Sequence, residues 1–138
     1  GSFADEINNK KKEFKIKNLN IIDWINYKDF SSFLSIADFY IVLLNKDAAN
    51  FAVPSKIYLY FLMKKYILAS MPKDNLGSKN ITYFSSGYVS EPNNNKILYQ
   101  NFNKIINNIK SKKKILNKYN LVREKNLNKM LNIINKMN

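Results

Sequence analysis

The feature that most constrains the fold of this chain is a helix start signal set between two strand-like segments. Pro54 and Ser55 open an apolar segment that ends in two lysines, and the β-type residues of 66–70 follow at once. A continuously apolar segment of strand type, 39–44, comes before it. Strand, helix and strand in this order predict a parallel α/β unit in which the helix begins at the carboxyl edge of the sheet. Free N–H groups at such a helix start suit phosphate, so the segment indicates an anionic ligand.

The rest of the chain repeats this alternation of strand and helix. Strands are predicted at 21–24, 39–44, 66–70 and 81–84, and helices at 5–17, 29–35, 55–64, 96–109 and 122–136. Tyr88 and Val89 form a short extended piece, and Trp24 is expected to pack in the core. Strands that are apolar on both faces are typical of a parallel sheet covered by helices. We therefore expect a single α/β domain over residues 1–138, with a three-layer Rossmann-like parallel sheet of about four strands and helices on both faces.

Two residue types are missing, and their absence excludes several kinds of site. The 138 residues include no cysteine and no histidine, which excludes disulfides, thiol nucleophiles, Cys/His zinc sites and His-based triads. No pair of acidic residues has a spacing that suits a metal ion, so neither a metal nor a cofactor is expected. No apolar run reaches the roughly 20 residues that cross a bilayer. The sequence thus predicts a cytoplasmic protein.

The formal charge of +13, from 23 basic and 10 acidic residues, has several explanations. It suits nucleic acid, an anionic membrane surface or phosphorylated substrates, or it follows from a composition rich in lysine, asparagine and isoleucine. The densest basic cluster is Lys110, Lys112, Lys113, Lys114 and Lys118. Only Tyr119 lies near it for base stacking, so no specific nucleic-acid site is expected. Anionic lipid is the better functional candidate and would hold the protein at the inner membrane face, but the favoured interpretation of the cluster is a solvated junction between helices.

Four segments, in their order and spacing, resemble the C-terminal domain of group 1 glycosyltransferases. They are 37–43 (ADFYIVL), 53–58 (VPSKIY), 67–70 (ILAS) and 87–92 (GYVSEP), and the chain near 123–131 resembles the closing helix of that family. The resemblance covers about residues 5–136. It implies the GT-B fold, in which two domains form a retaining enzyme and the C-terminal domain holds the nucleotide-sugar donor. On this resemblance the chain is an incomplete GT-B C-terminal domain.

The resemblance also implies a donor site. The loop and helix start at Ala52, Val53, Pro54, Ser55 and Lys56 would face the sugar and diphosphate of a UDP- or GDP-sugar. Ser55 would cap the helix while Lys56 meets negative oxygen. The alternative is an ordinary helix start followed by a solvated lysine.

Departures from the family pattern predict that the chain does not catalyse alone. Leu59 and Phe51 stand where the acidic residues of the family would fall, and Leu59 cannot hydrogen-bond to a ribose. The first strand-helix-strand portion of the domain, with its Arg/Lys pair on the phosphates, and the N-terminal acceptor domain are absent from this sequence. No catalytic residue is therefore predicted, and the chain is interpreted as a fragment or a degenerate copy.

Three functions remain open from the sequence. The first is the nucleotide-sugar-binding half of a group 1-like glycosyltransferase in bacterial polysaccharide or glycolipid synthesis, inactive without an N-terminal acceptor domain as its partner. The second is a non-catalytic interaction protein built on a degenerate glycosyltransferase domain, which self-associates through its last helix. The apolar stripe of that helix is Leu127, Met130, Leu131 and Ile134. A basic nucleic-acid-binding domain, supported by charge alone, ranks last.

Overall fold

The computed structural model describes residues 4–22, 24–49, 51–112, 115, 119 and 123–125. The chain divides into two compact units, Gly1–Ile36 and Ala37–Asn138, and the sheet lies in the second. The expectation of a single domain over residues 1–138 stays a prediction. The helix predicted at 122–136 lies outside the described residues, apart from 123–125, which are helical.

The first unit is helical. Its helices are α1, Ala4–Glu13, and α2, Tyr27–Ser35. The Asn26 side chain caps α2 and accepts a hydrogen bond from the backbone N–H of Lys28 at 3.4 Å. The strand predicted at 21–24 is wrong for its described residues, and Trp24 is 90 % exposed instead of packed in the core. So short an apolar segment forms a strand only when a neighbouring strand pairs with it, and none does in the described part of this unit.

The second unit contains a parallel sheet. Its strands are β1 (Phe39–Leu43), β2 (Tyr66–Ser70) and β3 (Gly87–Ser90), and its helices are α3 (Lys46–Ala49), α4 (Lys56–Leu62), α5 (Leu76–Tyr83) and α6 (Asn95–Lys110). The order is β1-β2-β3, and both pairs are parallel. Because the chain runs forward through every strand, α4 and α5 connect the carboxyl edge of the sheet to its amino edge.

Helices cover both faces of this sheet. On one face, Val42 and Ala69 pack with side chains of α4 and α5 in a core of Val42, Ile57, Phe61, Ile67, Ala69, Met71, Ile81 and Phe84. On the other face lies α6, whose Phe102 ring meets the Phe39 ring edge-on at 5.8 Å between centroids. The predicted parallel α/β sheet with helices on both faces is thus confirmed, with three strands among the described residues in place of about four.

The segment 81–84 was predicted as a strand and is instead the end of helix α5. Asn75 caps this helix, which begins at Leu76. Ile81 and Phe84 are three residues apart, so a helix places both side chains on one face, and both are buried in the core. Burial therefore outweighs the strand preference of the local sequence. The third strand is Gly87–Ser90, which includes the short extended piece expected at Tyr88 and Val89.

Candidate functional site

The five predicted donor-binding residues lie at the carboxyl edge of the sheet. They form the loop between α3 and α4 and the first residue of α4. Ala52, Ser55 and Lys56 are exposed, and Val53 and Pro54 are half-buried. A ligand in the crevice beyond the carboxyl ends of the strands would meet this loop. The predicted position of the site relative to the sheet is therefore consistent with this fold, and its ligand stays a prediction.

Two of the backbone donors at the amino terminus of α4 are already used within the turn. Ser55 has helical backbone angles, φ −58° and ψ −30°, and its side chain makes no capping hydrogen bond, so the predicted cap is wrong. A side chain reaches back to cap a helix from an extended backbone, which Ser55 does not adopt. The N–H of Ile57 donates to the carbonyl oxygen of Pro54 at 3.1 Å, and that of Tyr58 to Ser55 at 3.2 Å. Donors that would otherwise face a phosphate are thus satisfied within the turn.

Asn75 holds this loop in place. Its side-chain NH₂ donates to the carbonyl oxygens of Ala49 and Ala52, both at 3.0 Å. Its Oδ1 accepts from the N–H of Gly77 at 2.8 Å and so caps α5. Asn75 is buried, with 7 % of its surface exposed. An asparagine in front of an apolar segment is a recognisable helix start, but its contacts with the loop 23 and 26 residues earlier depend on the tertiary structure.

Glu91, the acidic residue after β3, is also used structurally. Its Oε1 accepts a hydrogen bond from the backbone N–H of Lys73 at 3.1 Å, which joins the loop after β2 to the end of β3. No group of three or more His, Cys, Asp or Glu side chains that could hold a metal ion is present among the described residues. The polar side chains at this edge therefore bind the loops of the protein to one another.

The two positions where the resemblance implies acidic residues present apolar surface. Phe51 is 93 % exposed, and Leu59 lies on the exposed side of α4. Neither can accept a hydrogen bond from a ribose hydroxyl. The loop before α4 therefore combines the exposed Lys56 with exposed apolar side chains and offers no carboxylate at these two positions.

The predicted basic cluster is only partly described. Lys110 and Lys112 lie at the end of α6, whereas Lys113, Lys114 and Lys118 fall outside the described residues. Lys112 lines a groove of about 420 Å³ at the amino edge of the sheet, together with Lys64 and Lys65 from the turn between α4 and β2. No sequence pattern associates Lys112 with these two lysines, which lie almost fifty residues earlier. None of the helices in the described part of the chain is long and apolar enough to cross a membrane.

The comparisons with known proteins give no family. The chain matches no protein-family model, no curated protein and no solved structure. The resemblance to group 1 glycosyltransferases therefore stays a prediction from the four sequence segments.

Proposed function

We propose that this chain is a non-catalytic interaction domain that binds a partner at the open edge of strand β1. The observation that carries the proposal is the exposure of two apolar side chains in that strand: Ile41 is 54 % exposed and Leu43 is 68 % exposed. Strand β1 lies at one end of the sheet order and pairs with β2 alone among the described strands.

The exposed side chains belong to the face that α6 covers elsewhere. Ile41 is opposite Leu68 in the parallel register, so the two side chains lie on the same face. Leu68 is buried, at 3 % exposure, whereas Ile41 is not, because α6 packs over β2 and β3. Parallel strands are usually buried on both faces. The coverage of β1 on this face is therefore incomplete.

The strand also lacks the features that keep edge strands from pairing with other chains. Its sequence, FYIVL, contains no lysine, no proline and no charged side chain that points inward. A partner that adds a strand beside β1 would hydrogen-bond along the edge of the sheet and cover Ile41 and Leu43 in one step. Each Å² of apolar surface removed from water contributes about 25 cal/mol.

The test uses a second copy of the chain as the partner and light scattering over a range of protein concentrations. The I41K/L43K variant places two charges on the edge, and we expect it to abolish association while circular dichroism stays unchanged. The matched control is Y83K/Y99K, which adds the same charge at two side chains that are 68 % and 66 % exposed on α5 and α6. Equal loss of association in both variants, or persistent association of I41K/L43K, would contradict the proposal.

A second candidate function is the donor-binding half of a glycosyltransferase. It is supported by the exposed Ser55 and Lys56 at the carboxyl edge of a parallel sheet, where phosphate ligands commonly bind. Because the N–H groups of Ile57 and Tyr58 are already used and Leu59 stands where the resemblance implies a carboxylate, we expect only weak binding of UDP. Titration with UDP, followed at the amides of Ser55 and Lys56 by NMR, tests this candidate. Tight binding there favours it, and an absence of shifts at these amides contradicts it.

A further inference from the structure

Three separate chain segments bring charged side chains to one groove at the amino edge of the sheet. Asp38 precedes β1, Lys64 and Lys65 precede β2, and Lys112 follows α6. The groove has a volume of about 420 Å³ and opens to solvent on the opposite edge from the predicted donor loop. None of its lining residues belongs to strand β1 or to the loop before α4.

The groove carries an excess of positive charge. Three lysines line it, and Asp38 is the one acidic residue among its lining residues. Cations are favoured at the carboxyl ends of helices, which accounts for a lysine at the end of α4 and another at the end of α6. This preference does not explain why Lys64 and Lys112 lie in the same groove as Lys65. Like charges in one groove repel, and a bound anion relieves that repulsion.

The backbone fixes two of these lysines in uncommon conformations. Lys64 and Lys112 both have φ of 53°, in the left-handed region that favours glycine and asparagine. Each is therefore held by the turn that follows its helix. The two side chains therefore start from defined backbone positions in the lining of the groove.

The remaining walls are apolar or aromatic. Ile109, Ile115 and Tyr66 complete the lining, and burial raises the pKa of the Tyr66 phenol above its ordinary value near 10, so this wall carries no charge near neutral pH. Lysine side chains bind phosphate as compact point charges, and apolar walls suit an attached hydrocarbon or ring. We propose that this groove binds the phosphate group of a phosphomonoester that carries an apolar or aromatic substituent. The source is either a soluble ester or the headgroup of a lipid.

The experiment titrates the full chain with three probes: inorganic phosphate, phenyl phosphate, and phosphatidylcholine vesicles with and without phosphatidic acid. Amide shifts at Lys64, Lys65 and Lys112 report on the soluble probes, and cosedimentation reports on the vesicles. The K64N/K112N variant removes two charges, and asparagine tolerates the left-handed backbone at both positions. We expect it to weaken binding by roughly tenfold or more, since a charged hydrogen bond is removed at each position.

The matched control is K73Q/K79Q, which removes the same charge from exposed lysines outside the groove and should bind as the unmodified chain does. The D38N variant removes the carboxylate of the groove and should bind phosphate more tightly.

A response to phenyl phosphate supports a soluble ester, and a response confined to phosphatidic acid supports a lipid headgroup. The proposal would be overturned if K64N/K112N and K73Q/K79Q lost the same affinity for the probes, or if the unmodified chain responded to none of them. Circular dichroism checks each fold, and K65Q replaces K64N/K112N if that variant unfolds.

Discussion

Asn75 and Ala52, 23 residues apart in the chain, are joined by a hydrogen bond of 3.0 Å from the side-chain amide of Asn75 to the carbonyl oxygen of Ala52. The same side chain caps α5 through its Oδ1 atom. One buried residue therefore fixes both the start of α5 and the loop in front of α4. The shape of the carboxyl edge depends on it more than on Ser55, which makes no capping bond.

Replacing Asn75 should separate its two roles. Asn75→Ser keeps a capping oxygen but loses the donors to Ala49 and Ala52, whereas Asn75→Ala loses both. We expect Asn75→Ala to lower the free energy of unfolding by about 2 kcal/mol and Asn75→Ser by roughly half of that. Chemical denaturation measures the stability, and hydrogen exchange of residues 49–56 should speed up in both variants. Unchanged exchange in both would show that the loop does not need this anchor.

Gly87 should not tolerate a side chain. A Cβ at this position would collide with the backbone carbonyl of Ile67 on the neighbouring strand, so β3 would have to move away from β2. We expect Gly87→Ala to destabilise the protein by roughly 3 kcal/mol. Gly77→Ala is the milder comparison, because its Cβ would meet only side-chain atoms: the ends of Ile57 and Met71 at 2.9 and 3.1 Å and the Oδ1 of Asn75 at 3.1 Å. Similar stabilities for the two variants would contradict the close approach of the strands.

The stacked rings of Tyr40 and Tyr60, 4.0 Å apart between centroids, should make stability fall at high pH. Burial raises the pKa of both phenols above the ordinary value near 10, and for Tyr40 the neighbouring Tyr60 adds to this. The unfolded chain then loses these protons first, so the free energy of unfolding decreases as pH rises above about 10. Denaturation at about pH 8 and about pH 11 measures this. Tyr60→Phe should reduce the decrease, and an equal decrease in that variant would assign it to other groups.

Two buried serines should respond in opposite directions to alanine. The Oγ of Ser86 is buried and has no hydrogen-bond partner within the described part of the chain, whereas the Oγ of Ser90 donates to the carbonyl oxygen of Ala69 at 3.2 Å. Ser86→Ala removes an unsatisfied polar atom and should raise the free energy of unfolding by about 1 kcal/mol. Ser90→Ala removes a bond and should lower it by about the same amount. Thermal unfolding of both variants measures the two changes in stability. A loss of stability in Ser86→Ala would indicate that the Ser86 hydroxyl has a hydrogen-bond partner.

The strands β1 and β2 could be predicted from the sequence because both are continuous apolar runs bounded by polar residues. Helix α6 was predicted to within one residue at each end, since its apolar spacing is regular over sixteen residues. The prediction of a strand at 81–84 is wrong, and it arose because isoleucine, threonine, tyrosine and phenylalanine all favour strands. Its helical state depends on a core that accepts Ile81 and Phe84 from one side.

The surfaces are where the sequence was least informative. Ile41 is exposed, whereas Leu68, opposite it in the register, is buried. This difference depends on where α6 packs, which no local sequence pattern indicates. The hydrogen bond of Asn75 with Ala49 and the presence of Lys64 and Lys112 in one groove likewise bring together residues that are far apart in the chain. Hydrophobic spacing and helix signals are local, so the sequence by itself determined the element types and the parallel α/β class. Which faces stay open and which charges share a groove follow from the packing of elements against one another, and only the tertiary structure decided them.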